Sequence, residues 1–191
     1  NTTGTYVNVG ASDIQTSDRW SVSRGYLYFD LSNIPDGKTI TSAEVKMKVW
    51  LNATPNGYAQ LIKIYNWDEI PDLDTDKSDF DGFGQAGTTK EIGSSGTTGQ
   101  WITWDITEDL LEHMNLNYDN DSINGTTNCY GFAFKNRLDF DGASLTPGEI
   151  NNVRFYSQNY TTNTSYRPQL SVTYKDGDTW SPQLIILSQT G

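Results

Sequence analysis

The stretch that most limits the possible folds is residues 43–51, where Ala43, Val45, Met47, Val49 and Leu51 occupy one parity and Glu44, Lys46 and Lys48 the other. Successive side chains leave a strand on opposite faces, so strict alternation gives one apolar and one polar face. On a helix the same apolar residues would be spread round the whole circumference. The stretch therefore reads as a half-buried antiparallel strand. Comparable runs cover residues 5–9, 25–31, 58–66, 100–106, 130–135, 151–157 and 168–174, which makes eight strands. Turn-forming groups separate them: Pro35-Asp36-Gly37, Pro55-Asn56-Gly57, Asp81-Gly82, Asn124-Gly125, Asp141-Gly142 and Asp176-Gly177. Short strands that each carry one apolar face must bury those faces against one another. The expected fold class is all-β, a jelly-roll-type β-sandwich of two antiparallel sheets. No clear second strand is evident between residues 9 and 24, and no repeat covers the chain.

Composition agrees, since aromatic residues make up 13% of the chain and Thr, Ser, Asn and Gly supply most of the polar remainder. One helix is expected from residue 105 onward: Thr107 offers a cap, Glu108 and Asp109 stand in the first turn, and Ile106, Leu110, Leu111 and Met114 share a face. It should cover one end of the sandwich, with His113 in a packing or solvent-facing role. Residues 68–99 and 115–128 read as long loops. Residues 1–174 form a single β-sandwich domain in this reading, and residues 175–191 a polar hinge followed by an extra strand. In that strand Leu184, Ile185, Ile186 and Leu187 are consecutive, so both faces are apolar, as in a strand buried on two sides. It needs a sheet edge, its own or a neighbouring subunit's, and these residues are the expected subunit contact.

With 24 carboxylates against 13 Lys and Arg, the formal charge is −11. Such a field repels phosphate backbones and anionic membrane surfaces, which excludes nucleic acid as the expected partner. No apolar run approaches the roughly 20 residues of a membrane-spanning helix, so membrane insertion is not expected either. The chain begins at Asn1 without Met and carries six Asn-x-Ser/Thr acceptors, at Asn1, Asn52, Asn120, Asn124, Asn159 and Asn163. The acceptors lead to the expectation of an exported glycoprotein, outside the cell or on its surface, and the missing Met reads either as a removed signal peptide or as a chain simply cut there. The single cysteine, Cys129, opens a strand and is expected to be a small buried residue.

Catalytic chemistry finds no anchor in the sequence. One His, His113, and one Cys, Cys129, lie outside any motif that activates a nucleophile, and nothing singles out a glycosidase pair among the carboxylates. Metal binding has a candidate in Asp72, Asp74, Asp76, Asp79 and Asp81, whose alternation lets several oxygens converge on calcium. It is not an EF-hand loop, because Lys77 stands where the turn glycine belongs and no Glu closes it. Sugar binding has four candidates, Trp20, Trp50, Tyr65 and Trp180. Trp50 and Tyr65 lie opposite the apolar faces of their strands, where a flat ring can pack on a pyranose.

Read in order, residues Arg24-Gly25-Tyr26-Leu27-Tyr28-Phe29-Asp30-Leu31-Ser32-Asn33-Ile34-Pro35 and Ile40-Thr41-Ser42-Ala43-Glu44-Val45 resemble the opening of the DNRLRE domains, which include the disaggregatase-related repeats of methanogenic archaea. Asn66-Trp67-Asp68-Glu69, Trp101-Ile102-Thr103-Trp104-Asp105-Ile106-Thr107, Tyr130-Gly131-Phe132 and Arg167-Pro168-Gln169-Leu170-Ser171-Val172-Thr173-Tyr174 look like later landmarks of that family. The resemblance implies a non-catalytic β-sandwich of secreted polysaccharide-active enzymes and surface proteins, and it carries over no catalytic residue. Three functions follow as expectations. The first is a structural subunit of a cell-surface assembly or filament, linked by strand exchange to copies of itself or to other surface proteins. The second is a carbohydrate-binding module for an extracellular polysaccharide, and the most distant is a polysaccharide-degrading enzyme.

Overall fold

A computed structural model of the chain describes residues 4–14, 19–35, 38–52, 60–64, 90–91, 98–115, 122–123, 126–127, 129–135, 150–176 and 183–188. The strands in chain order are β1 (Tyr6–Ile14), β2 (Arg19–Ser23), β3 (Gly25–Asp30), β4 (Lys38–Asn52), β5 (Gln60–Ile64), β6 (Lys90–Glu91) and β7 (Trp101–Asp105). Then follow β8 (Ser122–Ile123), β9 (Thr126–Thr127), β10 (Cys129–Lys135), β11 (Ile150–Tyr156), β12 (Gln169–Asp176) and β13 (Gln183–Ser188). One helix, α1 (Thr107–Asn115), follows β7. The chain is all-β, as its alternation requires.

The larger sheet runs β13-β12-β4-β11-β1-β2, with β7 also paired to β4; the smaller runs β3-β10-β5-β6. The described pairings are antiparallel. β4 is the hub. Glu44 is in register with both Ser171 of β12 and Asp105 of β7, so these two strands lie on opposite edges of it. At Val49 the N–H and C=O both bond to the segment leading into β7, so β11 takes over from β12 along the other edge. Two register shifts accommodate the change of partner. Thr173 pairs with Ser42 and Tyr174 with Ile40, leaving Thr41 as an extra residue; Arg154 pairs with Leu51 and Phe155 with Val49, leaving Trp50. Bulges of this kind bend a strand and increase its twist, and two of them let one long strand serve a curled sheet.

The apolar parity of β4 is confirmed at Ala43, Val45, Met47 and Val49, all fully buried. Leu51 departs from the expected face and is 38% exposed. The bulge at Trp50 is the cause, because it brings Leu51 into register with Arg154, an outward position on β11. Val9, Val153, Phe155, Leu170, Val172 and Trp104 from the larger sheet share one core with Leu27, Phe29 and Phe134 from the smaller. Trp104 meets Phe134 edge-on at 5.4 Å and Phe155 at 6.2 Å, which joins strands of both sheets. Burying each such side chain contributes about 1.5–3 kcal/mol.

The helix stands where its sequence signals put it, and Leu110 is fully buried. Its cap is not Thr107. Ile106 occupies that position, its carbonyl accepting from the N–H of Leu110 at 2.9 Å. The Asp105 carboxylate accepts from the N–H of Thr107 at 3.0 Å and from its hydroxyl at 2.6 Å. The Thr107 hydroxyl oxygen in turn accepts from the N–H of Ala43 at 2.9 Å, tying the helix start to β4.

Other segments differ from the reading above. β2 is a strand that the sequence did not reveal, in register with β1 from Gly10↔Ser23 to Ile14↔Arg19. The expected loops contain short ladders: β6 pairs with β5, and β8 pairs with β9 on either side of Asn124-Gly125, two residues outside the described set. β12 runs through Lys175 and Asp176, which pair with Thr39 and Lys38, so the strand takes in the first two residues of the expected hinge. β13 lies against β12 of its own chain, from Gln169↔Ser188 to Tyr174↔Gln183. Its two faces are unequal, with Leu187 buried in the core and Ile186 59% exposed.

Candidate functional site

The parity that buries Val45, Met47, Trp104, Val153 and Phe155 sends the alternate residues of β4, β7, β11 and β1 to the outer face of the larger sheet. There they form an array of rings and cations. Trp101 of β7 is in register with Lys48 of β4, whose ammonium lies 5.9 Å from the Trp101 ring and 3.2 Å from the ring centre of Tyr166. Tyr166 contacts Tyr156 of β11 at 5.1 Å, and Tyr156 is in register with Tyr6 of β1. Tyr6 stacks on Trp50 with ring centres 4.7 Å apart and planes inclined by 14°. The Arg154 guanidinium lies 4.9 Å from Tyr6 and 5.8 Å from Trp50. The rings are half-buried or, for Tyr6, 39% exposed, so they remain partly open to solvent.

Local structure explains the placement. The bulge leaves Trp50 without a cross-strand partner and turns it toward Tyr6. The connection from β11 to β12 brings Tyr160 and Tyr166 onto the same face. It is pinned by buried Ser157, whose hydroxyl donates to the Gly4 carbonyl at 2.7 Å and accepts from the N–H of Asn159 at 3.1 Å. Arg167 Nε donates to the Tyr160 carbonyl at 3.0 Å. Burial raises the pKa of the Tyr156 phenol above its ordinary value, with the neighbouring Tyr160 and Tyr166 adding to the effect. The cations on this face contrast with the acidic chain. Glu44, also on it, is engaged by Lys46 at 3.0 Å.

Of the four rings expected to meet sugar, Trp50 joins this face. Trp20 lies in β2 in register with Asp13, and Tyr65 and Trp180 lie outside the described residues. Sequence reasoning missed Tyr6, Trp101, Tyr156, Tyr160 and Tyr166. For Tyr6, Trp101 and Tyr156 the signal was present, because each stands at the parity opposite buried residues of its own strand. Tyr160 and Tyr166 belong to a connection whose path only tertiary contacts define.

Asp72, Asp74, Asp76, Asp79 and Asp81 lie outside the described residues, as do Asn1, Asn120 and Asn124. Asn52 ends β4 in register with Val153, while Asn159 and Asn163 lie on the β11–β12 connection. Cys129 opens β10 opposite Asp30, and His113 lies on α1. Leu184 and Ile185 pair with Thr173 and Val172 of β12. Among the described residues no helix is long and apolar enough to cross a membrane. No protein-family model matches the chain, and no curated protein does.

Proposed function

We propose that this protein is a non-catalytic extracellular β-sandwich of the jelly-roll type that binds polysaccharide through the outer face of its larger sheet. The observation that carries the reading is the contact series Trp101, Lys48, Tyr166 and Tyr156, set by strand register beside the stacked pair Tyr6 and Trp50. Flat rings laid along a sheet face match the apolar C–H faces of successive sugar units, and the cations between them supply donors for hydroxyl oxygens. The resemblance to DNRLRE domains, which implies a non-catalytic β-sandwich of secreted polysaccharide-active enzymes and of surface proteins, is compatible with this reading. The test is affinity electrophoresis through gels containing single polysaccharides, with the intact chain and Trp50→Ala. One polysaccharide retards the intact chain, and the substitution weakens binding at least about tenfold, equivalent to about 1.4 kcal/mol. Migration unchanged by every polysaccharide tested defeats the reading.

A second reading, a structural subunit joined to copies of itself through β13, is favoured by one observation. β13 ends the order of described strands in the larger sheet and presents Ile186 to solvent.

A further inference from the structure

The acceptor at Asn163 has a local geometry that the sequence pattern alone does not specify. Asn163 is exposed and precedes a single 3-10 turn, Thr164–Tyr166. Its Oδ1 accepts from the N–H of Ser165 at 3.1 Å and from the Ser165 hydroxyl at 2.7 Å. The two residues that define the acceptor pattern are thus already joined, and the bonds described for the carboxamide all enter through oxygen, leaving Nδ2 unspent. The turn is held at its far end by the N–H of Arg167 on the Thr164 carbonyl at 3.2 Å. Asn159, by comparison, is half-buried beside the Ser157 anchor, and Asn52 belongs to a paired strand.

The rings around this turn add a second observation. The N–H of Tyr166 donates to the Asn163 carbonyl at 3.1 Å, so the two residues stand one turn apart. Tyr160 lies parallel to Tyr166 within 3°, with ring centres 6.1 Å apart. Both are half-buried and so keep part of their surface open.

We propose that Asn163 carries an N-linked glycan whose first sugar packs on Tyr166 and Tyr160. The donor is a lipid-linked phospho- or diphospho-oligosaccharide. Nδ2 forms a bond to C1 of the sugar as the C1–O bond to phosphate breaks. The phosphate leaves with the electron pair, and Nδ2 gives up one proton. The glycan then covers Tyr166 and Tyr160 in the middle of the outer face, leaving Trp101 open on one side of it and the Tyr6–Trp50 pair on the other. This inference stands independently of polysaccharide binding, because the modification is read by mass.

The experiment starts with protein from its native source, whose glycopeptides are fragmented by electron transfer so that Asn159 and Asn163 are distinguished. Asn163 is occupied, and to a greater extent than Asn159; a bare Asn163, or higher occupancy at Asn159, overturns the assignment. The ring contact is tested by comparing the Tm of glycosylated chain with that of chain made in a host without N-glycosylation. The comparison is repeated for Tyr166→Leu and for Tyr166→Phe. The glycan's gain in Tm shrinks by about 2–4 °C in Tyr166→Leu and persists in Tyr166→Phe, which keeps a ring. An equal gain in all three chains overturns the packing of sugar on the tyrosines.

Discussion

Gly25 shows how a single atom limits the approach of the two sheets. A Cβ at this buried position of β3 meets Val7 Cγ1 inside contact distance and Val9 Cγ2 at 3.2 Å. Gly25→Ala is therefore expected to destabilise by about 1–3 kcal/mol, and adding Val7→Ala to recover part of that loss, both read from urea unfolding. Tyr156 makes a prediction of a different kind. Its folded-state pKa is raised, first by burial and then by Tyr160 and Tyr166, so the folded chain holds the phenolic proton more tightly than the unfolded chain. The corresponding stability is fully present below the ordinary tyrosine pKa of about 10 and is lost as pH rises through the folded value. Tm should fall with increasing pH above that point, and Tyr156→Phe should flatten the fall. Neither effect was legible beforehand. Gly25 reads in sequence as one more strand residue, and the tyrosines that perturb Tyr156 meet it only through the β11–β12 connection.

At the scale of elements, β13 separates two accounts of the C-terminal tail. Paired with β12 of its own chain, it buries Leu187 and exposes Ile186. Leu187→Ala should then cost about 2–5 kcal/mol, whereas Ile186→Lys should change stability by no more than about 0.5 kcal/mol. A strand exchanged into a neighbour and covered on both faces would make the lysine substitution costly as well, with loss of assembly visible by light scattering. The apolar run 184–187 was legible as a strand. Which side it buries was not, because four consecutive apolar residues contain no alternation to read. β2 was missed for a related reason: Arg19-Trp20-Ser21-Val22-Ser23 has few apolar anchors, and its strand character comes from pairing with β1.

Across the whole molecule, carboxylates dominate the charge while Lys48 and Arg154 stand among the outer-face rings. Asp72, Asp74, Asp76, Asp79 and Asp81 add clustered acid to an already acidic chain, which repels itself unless a cation such as calcium neutralises it. Calcium at a hundredfold excess over its Kd should stabilise the fold by about 2.7 kcal/mol, and excess chelator should reverse the rise in Tm. A Tm indifferent to both additions removes calcium from the account.

The sequence by itself determined the all-β class, the inward parity of β4 from Ala43 to Val49, and the position of α1. These are local consequences of side-chain period and capping chemistry, and a short window contains them. Tertiary structure alone decided the two bulges of β4, the reversal of Leu51 and the gathering of rings from four strands and one connection onto a single face. Register is a relation between strands distant in the chain, and moving it by one residue sends a side chain to the other face, so no single strand records it.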